Sequence, residues 1–265
     1  GTVDFVEMLK AYGIDIHLAG GETADVGDIV RTIDVGYTAY ARGHKSKLII
    51  NNIQDGDVIV GLASYGQSTY EDTYNGGMGS NGLTSARHDV FDKVYRDKYP
   101  DTYDHNSPLE LMYAGDKKLT DKLDINGELI DLGKLVLSPT RTFLPVLKNV
   151  VDQFAPRING IIHNTGGAHT KVTKFAPGKK IIKDNLLPIP PLFNLIQETS
   201  QSEWKEMFQV FNMGTRLEFY TDAETAKEII KISESFNIDA QVIGRVEDTG
   251  ESSIELTHNG EVYNY

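Results

Sequence analysis

Ile158-Asn159-Gly160-Ile161-Ile162-His163-Asn164-Thr165-Gly166-Gly167-Ala168-His169 decides the reading of this chain. A short apolar run bounded by polar residues predicts a buried strand. It runs straight into a histidine, an amide, a hydroxyl and a glycine pair. Rigid backbone that ends in polar side chains, with glycines admitting a ligand close to the chain, is how an α/β domain builds a site.

Downstream, Lys171, Lys174, Lys179, Lys180 and Lys183 fall within thirteen residues. The cluster reads either as a focus for a small anion or as solvated lysines beside a loop. Residues 186–191 form an extended, proline-rich bridge, and a short helix opens over 192–197. Trp204, Met207, Phe208 and Phe211 recur at i, i+3, i+4 and i+7, the stripe of a helix facing the core. A strand follows over 215–220, and Thr221 with Glu224 predicts a capping box for a helix over 222–236. Strands at 239–246, 252–257 and 261–263 close the chain, the last two joined by the hairpin signal Asn259-Gly260.

Upstream, Pro145 belongs in the first turn of a helix carrying Phe143, Val146, Leu147 and Val150. Residues 96–116 read as a surface excursion. A helix with apolar positions at Leu83, Ala86, Val90 and Val94 follows a long loop, 64–82, with glycines at 76, 77, 79 and 82. Backbone amides at such an entry can hold phosphate, with Ser80 or Asn81 as the cap otherwise. Arg87 sits one turn in, where a cation gains from an anionic partner. Val58 to Ala63 is a fully buried strand, and the polar stretch 42–56 marks a domain boundary. Residues 29–40 are strand-like, with Ile33, Val35 and Tyr37 on one face. Asp34, on the other face, reads as a metal or hydroxyl ligand or as a solvent-facing carboxylate. A half-buried strand at 14–19 leads into Gly20-Gly21-Glu22-Thr23, either a site or a turn. The chain opens with a helix over 3–11 that has a broad buried face and stops near Gly13.

The net charge of −12 argues against general nucleic-acid affinity. No run is long enough to span a bilayer, nothing at the start has the form of a secretory signal, and there is no cysteine for disulfides or thiolate metal sites. A cytoplasmic setting fits best.

In order, several blocks resemble the phosphoribosylformylglycinamidine cyclo-ligase (aminoimidazole ribonucleotide synthetase) family. They are Gly20-Gly21-Glu22-Thr23-Ala24, Asp57-Val58-Ile59-Val60-Gly61-Leu62, Ser80-Asn81-Gly82 with Arg87, Leu137-Ser138-Pro139-Thr140-Arg141, His163-Asn164-Thr165-Gly166-Gly167, Glu206-Met207 with Phe211-Asn212-Met213-Gly214, and Ile243-Gly244. The resemblance implies an α/β fold of α+β type layers with mixed sheets backed by helices. Residues 1–50 would be the remnant of an N-terminal ATP-binding and dimerisation domain, and 51–265 a complete C-terminal synthetase domain. The family's earlier strands, with a glycine-rich nucleotide loop, a lysine and metal-binding aspartates, have no counterpart here, so the chain reads as a segment of a longer homodimeric enzyme.

The implied activity is ATP-dependent, with Mg2+, and closes formylglycinamidine ribonucleotide to aminoimidazole ribonucleotide through a phosphorylated formyl oxygen. On this resemblance His163 is catalytic, while Asn164, Thr165, Gly166, Gly167, Gly20, Gly21, Glu22, Thr23 and Lys174 bind the ribonucleotide. Ser80, Asn81, Gly82 and Arg87 bind nucleotide, and no metal ligand is assigned. Three departures stand out: a long insertion between Gly66 and Ser80, Ala168 in place of a third glycine, and the absence of the family's arginine after the glycine run, where Lys174 is the nearest cation. Selenophosphate synthetase, thiamine monophosphate kinase and a non-catalytic subunit of the same fold are the alternatives.

Overall fold

The computed structural model describes residues 1–265 except 29 and 31–33. The elements in chain order are α1 (Thr2–Ala11), β1 (Val58–Ala63), β2 (Tyr65–Gly66), β3 (Asn75–Gly76), α2 (Leu83–Val90), α3 (Val94–Lys98), β4 (Lys122–Ile125), β5 (Glu128–Asp131), α4 (Leu132–Val136), α5 (Leu144–Phe154) and β6 (Ile158–His163). They continue with β7 (Lys179–Lys183), α6 (Pro191–Ser200), α7 (Trp204–Val210), β8 (Thr215–Thr221), α8 (Ala223–Ser235), β9 (Ala240–Asp248), β10 (Ser253–His258) and β11 (Glu261–Asn264). Seven strands form one mixed sheet in the order β11-β10-β7-β9-β1-β8-β6. Within it the β10–β7 pair is parallel and the other pairs are antiparallel. The expected α/β class with a mixed sheet and backing helices is therefore what the chain adopts.

Every residue of β8 is buried, so both faces of the sheet are covered there. The helix α8 packs along β1, β8 and β9 with α5 beside it, while the 3-10 turn Ala168–Lys174 packs against β6, β10 and α7. The aromatic stripe expected of α7 lies in the core: Met207, Phe208 and Phe211 are buried. Pro145 sits in the first turn of α5 as its missing N–H requires. Asn259 and Gly260 both take positive φ in the β10–β11 turn.

Several expectations fail for identifiable reasons. The focal strand β6 is not buried on both sides but lies at the sheet's edge, with alternating burial along it. Its free backbone groups are covered by the preceding chain: Asn52 N–H donates to Asn159 O at 2.7 Å, and Ile161 N–H to Asn51 Oδ1 at 3.0 Å. Gly160 permits that approach, since a Cβ there would lie 2.7 Å from Ile53 Cγ1. The stretch expected as a domain boundary thus sends Ile53 into the core.

The helix expected to run from Leu83 through Val94 is broken at Phe91, which is extended and bridges Lys117. Gly82, not Ser80 or Asn81, is its N-cap, with φ +77. The cap of α8 is Asp222 rather than Thr221: its carboxylate accepts from Glu224 N and Thr225 N, while Thr221 belongs to β8 and donates to Arg157 O. Among the described residues of 12–40 there is no strand; Ile29 and Ile33 of the expected second strand lie outside the described residues. The first helix ends where expected, with Gly13 at φ +73, but fully buries only Leu9: Val6 and Met8 are half-buried, and Val3 and Phe5 are exposed.

The long 64–82 loop is tied down rather than free. Arg141 donates to Ala63 O, Tyr65 O and Gly66 O and forms a bidentate pair with Glu71. Burial would raise the Glu71 carboxyl, but Arg141 first, with the Ser68 N–H and Asn75 amide, holds it below its usual value. Ser138 Oγ accepts from Gly76 N, and Pro139 O from Asn75 Nδ2. The Ser138-Pro139-Thr140-Arg141 block is thus the anchor of this loop.

Candidate active site

The edge strand β6 delivers His163 to its end, and the chain turns there because Thr165 N–H donates back to His163 O at 2.8 Å and Ala168 N–H to Thr165 O. Gly167 takes φ +89, which glycine adopts without strain. The next residue after the strand, Asn164, is buried. Its N–H bonds Arg216 O at 2.7 Å, and its Nδ2 donates to Thr215 O at 3.1 Å and Glu218 Oε1 at 2.7 Å. Two acceptors on Nδ2 fix the amide's orientation and leave Oδ1 buried without a protein partner.

The second loop meets this turn. A Cβ on Gly166 would lie 3.8 Å from Asn81 Oδ1, and Asn81 Nδ2 donates to Val210 O. Gly79 packs flat on the Arg216 guanidinium, where an added Cβ would overlap Nη2, and Gly82 packs on the Phe211 ring. Arg216 Nη2 donates to Gly77 O and Met78 O, while Asn212 Nδ2 also donates to Gly77 O. The glycines of residues 77–82 are therefore required by close approach to β8 and its entry, and they carry Ser80 and Asn81 beside the His163 turn.

Beneath both loops lies a charged cluster that no local sequence pattern announces. Glu218 Oε1 accepts from Lys183 Nζ at 2.6 Å and Oε2 from Tyr220 Oη at 2.7 Å, and His169 Nδ1 stands 3.7 Å from Oε1. Lys183 also donates to His169 O, and His169 Nε2 lies 2.9 Å from Asn212 O. Lys183 and Glu218 are fully buried. Burial would raise the Glu218 carboxyl, but Lys183 first and His169 next hold it below its usual value; burial lowers Lys183. His169 is pushed down to about 3 by burial, with Lys183 adding to it, so it is neutral. Strand periodicity places Arg216, Glu218 and Tyr220 on one side of β8. Nothing local marks that face as buried, because the partner Lys183 is on β7 and not adjacent in sequence.

His163 itself is solvent-accessible, yet its pKa is lowered to about 4 by desolvation, then by Arg216 and Lys171. Its ring has no hydrogen bond to any described residue, so a neutral imidazole is offered to whatever binds. Lys171 Nζ donates to Thr165 Oγ1 at 2.6 Å and His163 O at 3.1 Å.

The other residues expected to form the site make no hydrogen bond to the His163 turn among the described residues. Gly20, Gly21, Glu22 and Thr23 occupy an exposed segment with no hydrogen bond to other described residues. The Arg87 guanidinium stacks over Tyr113 at 5.8 Å with its Nε buried and unpaired, and no hydrogen bond links it to the His163 turn. Lys174 ends the 3-10 turn, exposed and without a hydrogen bond to a described residue. The remaining lysines of the cluster are committed: Lys179 to Asp248, Lys180 to Glu255, Lys183 to Glu218. Among the described residues no group of three or more His, Asp or Glu side chains is placed to hold a metal ion, and Asp34 is exposed. No helix among them is long and apolar enough to cross a membrane.

Residues 137–257 match the family described as AIR synthase related protein, C-terminal domain. A Methanocaldococcus jannaschii protein named phosphoribosylformylglycinamidine cyclo-ligase is 35% identical over 251 residues, covering 92% of this chain and 59% of that protein. Proteins of the same name from Methanococcus vannielii and a Geobacillus species are 33% and 31% identical, covering 88% and 86% of this chain and 57% and 58% of their own. Among solved structures, T. maritima PurL complexed with FGAR shares 12% identity at a TM-score of 0.44, over 83% of this chain and 29% of that one. E. coli HypE, a hydrogenase maturation protein, shares 16% at 0.43, over 81% and 51%. The chain spans about three-fifths of the length of the curated relatives it matches. Residues 137–257 thus match an AIR synthase related C-terminal domain, and over most of its own length the chain is similar to proteins named phosphoribosylformylglycinamidine cyclo-ligase.

Proposed function

We propose that this chain supplies the ribonucleotide-binding part of an ATP-dependent cyclo-ligase that converts formylglycinamidine ribonucleotide to aminoimidazole ribonucleotide. The observation that carries the reading is the meeting of the Ser80-Asn81-Gly82 loop with the His163–Gly167 turn, in a chain homologous to proteins of that name. In the reaction ATP transfers its γ-phosphoryl group to the formyl amide oxygen. The amidine nitrogen attacks the activated carbon, the C–O bond breaks with loss of phosphate, and the ring closes after a proton leaves the attacking nitrogen. The step calls for fixed donors around developing charge and a neutral group to handle a proton.

In this reading His163 takes or places that proton, Thr165 orients the amidine end, Asn164 holds the turn in place from beneath, and the amides of Gly166 and Gly167 face the substrate. Ser80 and Asn81 lie on the nucleotide side, with the polyphosphate of ATP neutralised by Mg2+. The described residues offer that metal no cluster of ligands, so it is assigned none in this chain and no step is routed through it. Residues 1–50 are assigned to an ATP-binding and dimerisation domain, and 51–265 to the synthetase domain. The exposed Val3 and Phe5 of α1 and the exposed segment carrying Gly20 to Thr23 support that division. The enzyme works as a homodimer in the cytoplasm.

The test is phosphate release by the parent enzyme with ATP, with and without formylglycinamidine ribonucleotide. Release only with that substrate, depressed about a hundredfold in His163→Ala as for loss of a general acid–base, is expected. Release that ignores the substrate sinks the reading.

A further inference from the structure

Five lysines crowd the sequence after the glycine turn, and the fold sorts them. Three are neutralised by carboxylates, and Lys174 hangs outside the turn. Lys171 differs from all of them. It is half-buried, its ammonium is held by two uncharged oxygens of the His163–Thr165 turn, and no carboxylate lies within ion-pair distance among the described residues. An ammonium has three donors, so one remains.

A second cation lies close by with the same deficit. Arg216 is 2% exposed, donates only to the carbonyls of Gly77 and Met78, has no carboxylate partner among the described residues, and leaves Nε buried and unbonded. Its own carbonyl bonds Asn164 N–H, which places it under the same turn. Two cations held out of bulk water without a counter-ion are costly, and the remainder of the chain carries excess negative charge. Desolvation first, then both charges, disfavour a proton on His163, so its surroundings carry a convergence of positive charge. That convergence is what an anion would compensate.

We propose that Lys171, backed by the buried charge of Arg216, is the cation that binds the phosphate group of the ribonucleotide, in place of Lys174. This rests on the functional reading above. Lys171 touches the phosphate directly with its third N–H. Arg216 is covered by Gly79 and acts through its field and by holding residues 77–79 in place. Thr165 sits between: its hydroxyl accepts from Lys171 and donates to His163 O at 3.4 Å, which fixes the Lys171 ammonium against the turn.

The experiment is calorimetric titration of the full chain with ribose 5-phosphate, and with ribose as the uncharged control, at low ionic strength. Lys171→Gln retains a donor for Thr165 and His163 O but removes the charge. It is expected to weaken ribose 5-phosphate binding about tenfold or more, the scale of one charge-assisted contact, while Lys174→Gln stays within about twofold. Equal affinity for ribose and ribose 5-phosphate in the unaltered chain, or an unchanged affinity in Lys171→Gln, overturns the proposal. A second measurement needs no variant: acetylation of Lys171 in the native chain, followed by peptide mass, is expected to slow when inorganic phosphate is present while that of Lys174 does not. Equal rates overturn it. Phosphate binding at Lys171 without substrate-dependent ATP hydrolysis in the parent enzyme would leave this site standing and remove the cyclo-ligase reading; the converse result would do the opposite.

Discussion

Replacing Glu218 by Gln should unfold this protein more readily than any surface change, and the structure gives the size. Glu218 is the acceptor for Lys183, Asn164 and Tyr220 at once, with no exposure to water. Gln keeps the shape but leaves Lys183 as a buried cation without an anion. Breaking a buried pair from one side costs about 3–5 kcal/mol. The alternative open to the variant is to strip the proton from Lys183. From an unfolded value near 10.4 that costs about 4–5 kcal/mol at pH 7, at about 1.4 kcal/mol per unit. The two routes agree, so the deficit should appear as a fall of about 10 °C or more in Tm. They also predict a pH signature. With Lys183 neutral in the folded variant and charged in the unfolded chain, the unfolded state binds more protons, and stability rises with pH. The gap to the unaltered protein should therefore shrink by about 2–3 kcal/mol between pH 7 and pH 9. Urea unfolding at both pH values measures it, and a Lys183→Met, Glu218→Gln double variant should recover part of the loss. A deficit below about 1 kcal/mol that is flat with pH would refute the buried ion pair.

Three further outcomes follow from single contacts. His169 is buried with a pKa of about 3 against an unfolded value near 6.5. Its contribution to stability is complete above pH 6.5 and is lost as pH falls toward 3, by at most about 1.4 kcal/mol per unit; urea midpoints at pH 7, 5.5 and 4.5 should decline, and less steeply in His169→Gln. In Gly79→Ala the new Cβ meets the Arg216 guanidinium at a φ of +62, so a loss of about 2–3 kcal/mol is expected by chemical denaturation, whereas Gly250→Ala, with open space around it, should lose about 1. Asp222→Ala removes the cap of α8 and should cost about 1 kcal/mol, read from the same denaturation curves.

Local patterns carry much of this fold in the sequence. The stripe of α7, the Pro145 start of α5 and the Asn259-Gly260 turn are each written in a few adjacent residues, and each appears where its chemistry requires. Position within the sheet is not local. An apolar run such as 158–163 reads alike at the centre and at an edge covered by Asn51 and Ile53. The cap of α8 is one residue from the motif that suggests it, because Asp222 is a better acceptor at the end of a strand than the Thr221 already paired in it. Within the site, His163 to Gly167 stand out because strand, polar tip and glycines are consecutive. Glu218, Lys183 and Arg216 do not, because their partners come from other strands and loops. Lys171 is only one of five lysines until the turn that it bonds is placed.

The proposed reaction would leave a mark that one measurement reads. Formylglycinamidine ribonucleotide carrying 18O in its formyl amide would be turned over with ATP by the parent enzyme, and the released phosphate examined by 31P NMR. Activation of that oxygen by phosphoryl transfer predicts one 18O in each phosphate released, with the signal lost along with turnover in His163→Ala. Phosphate free of 18O, released while the ring closes, would contradict the account.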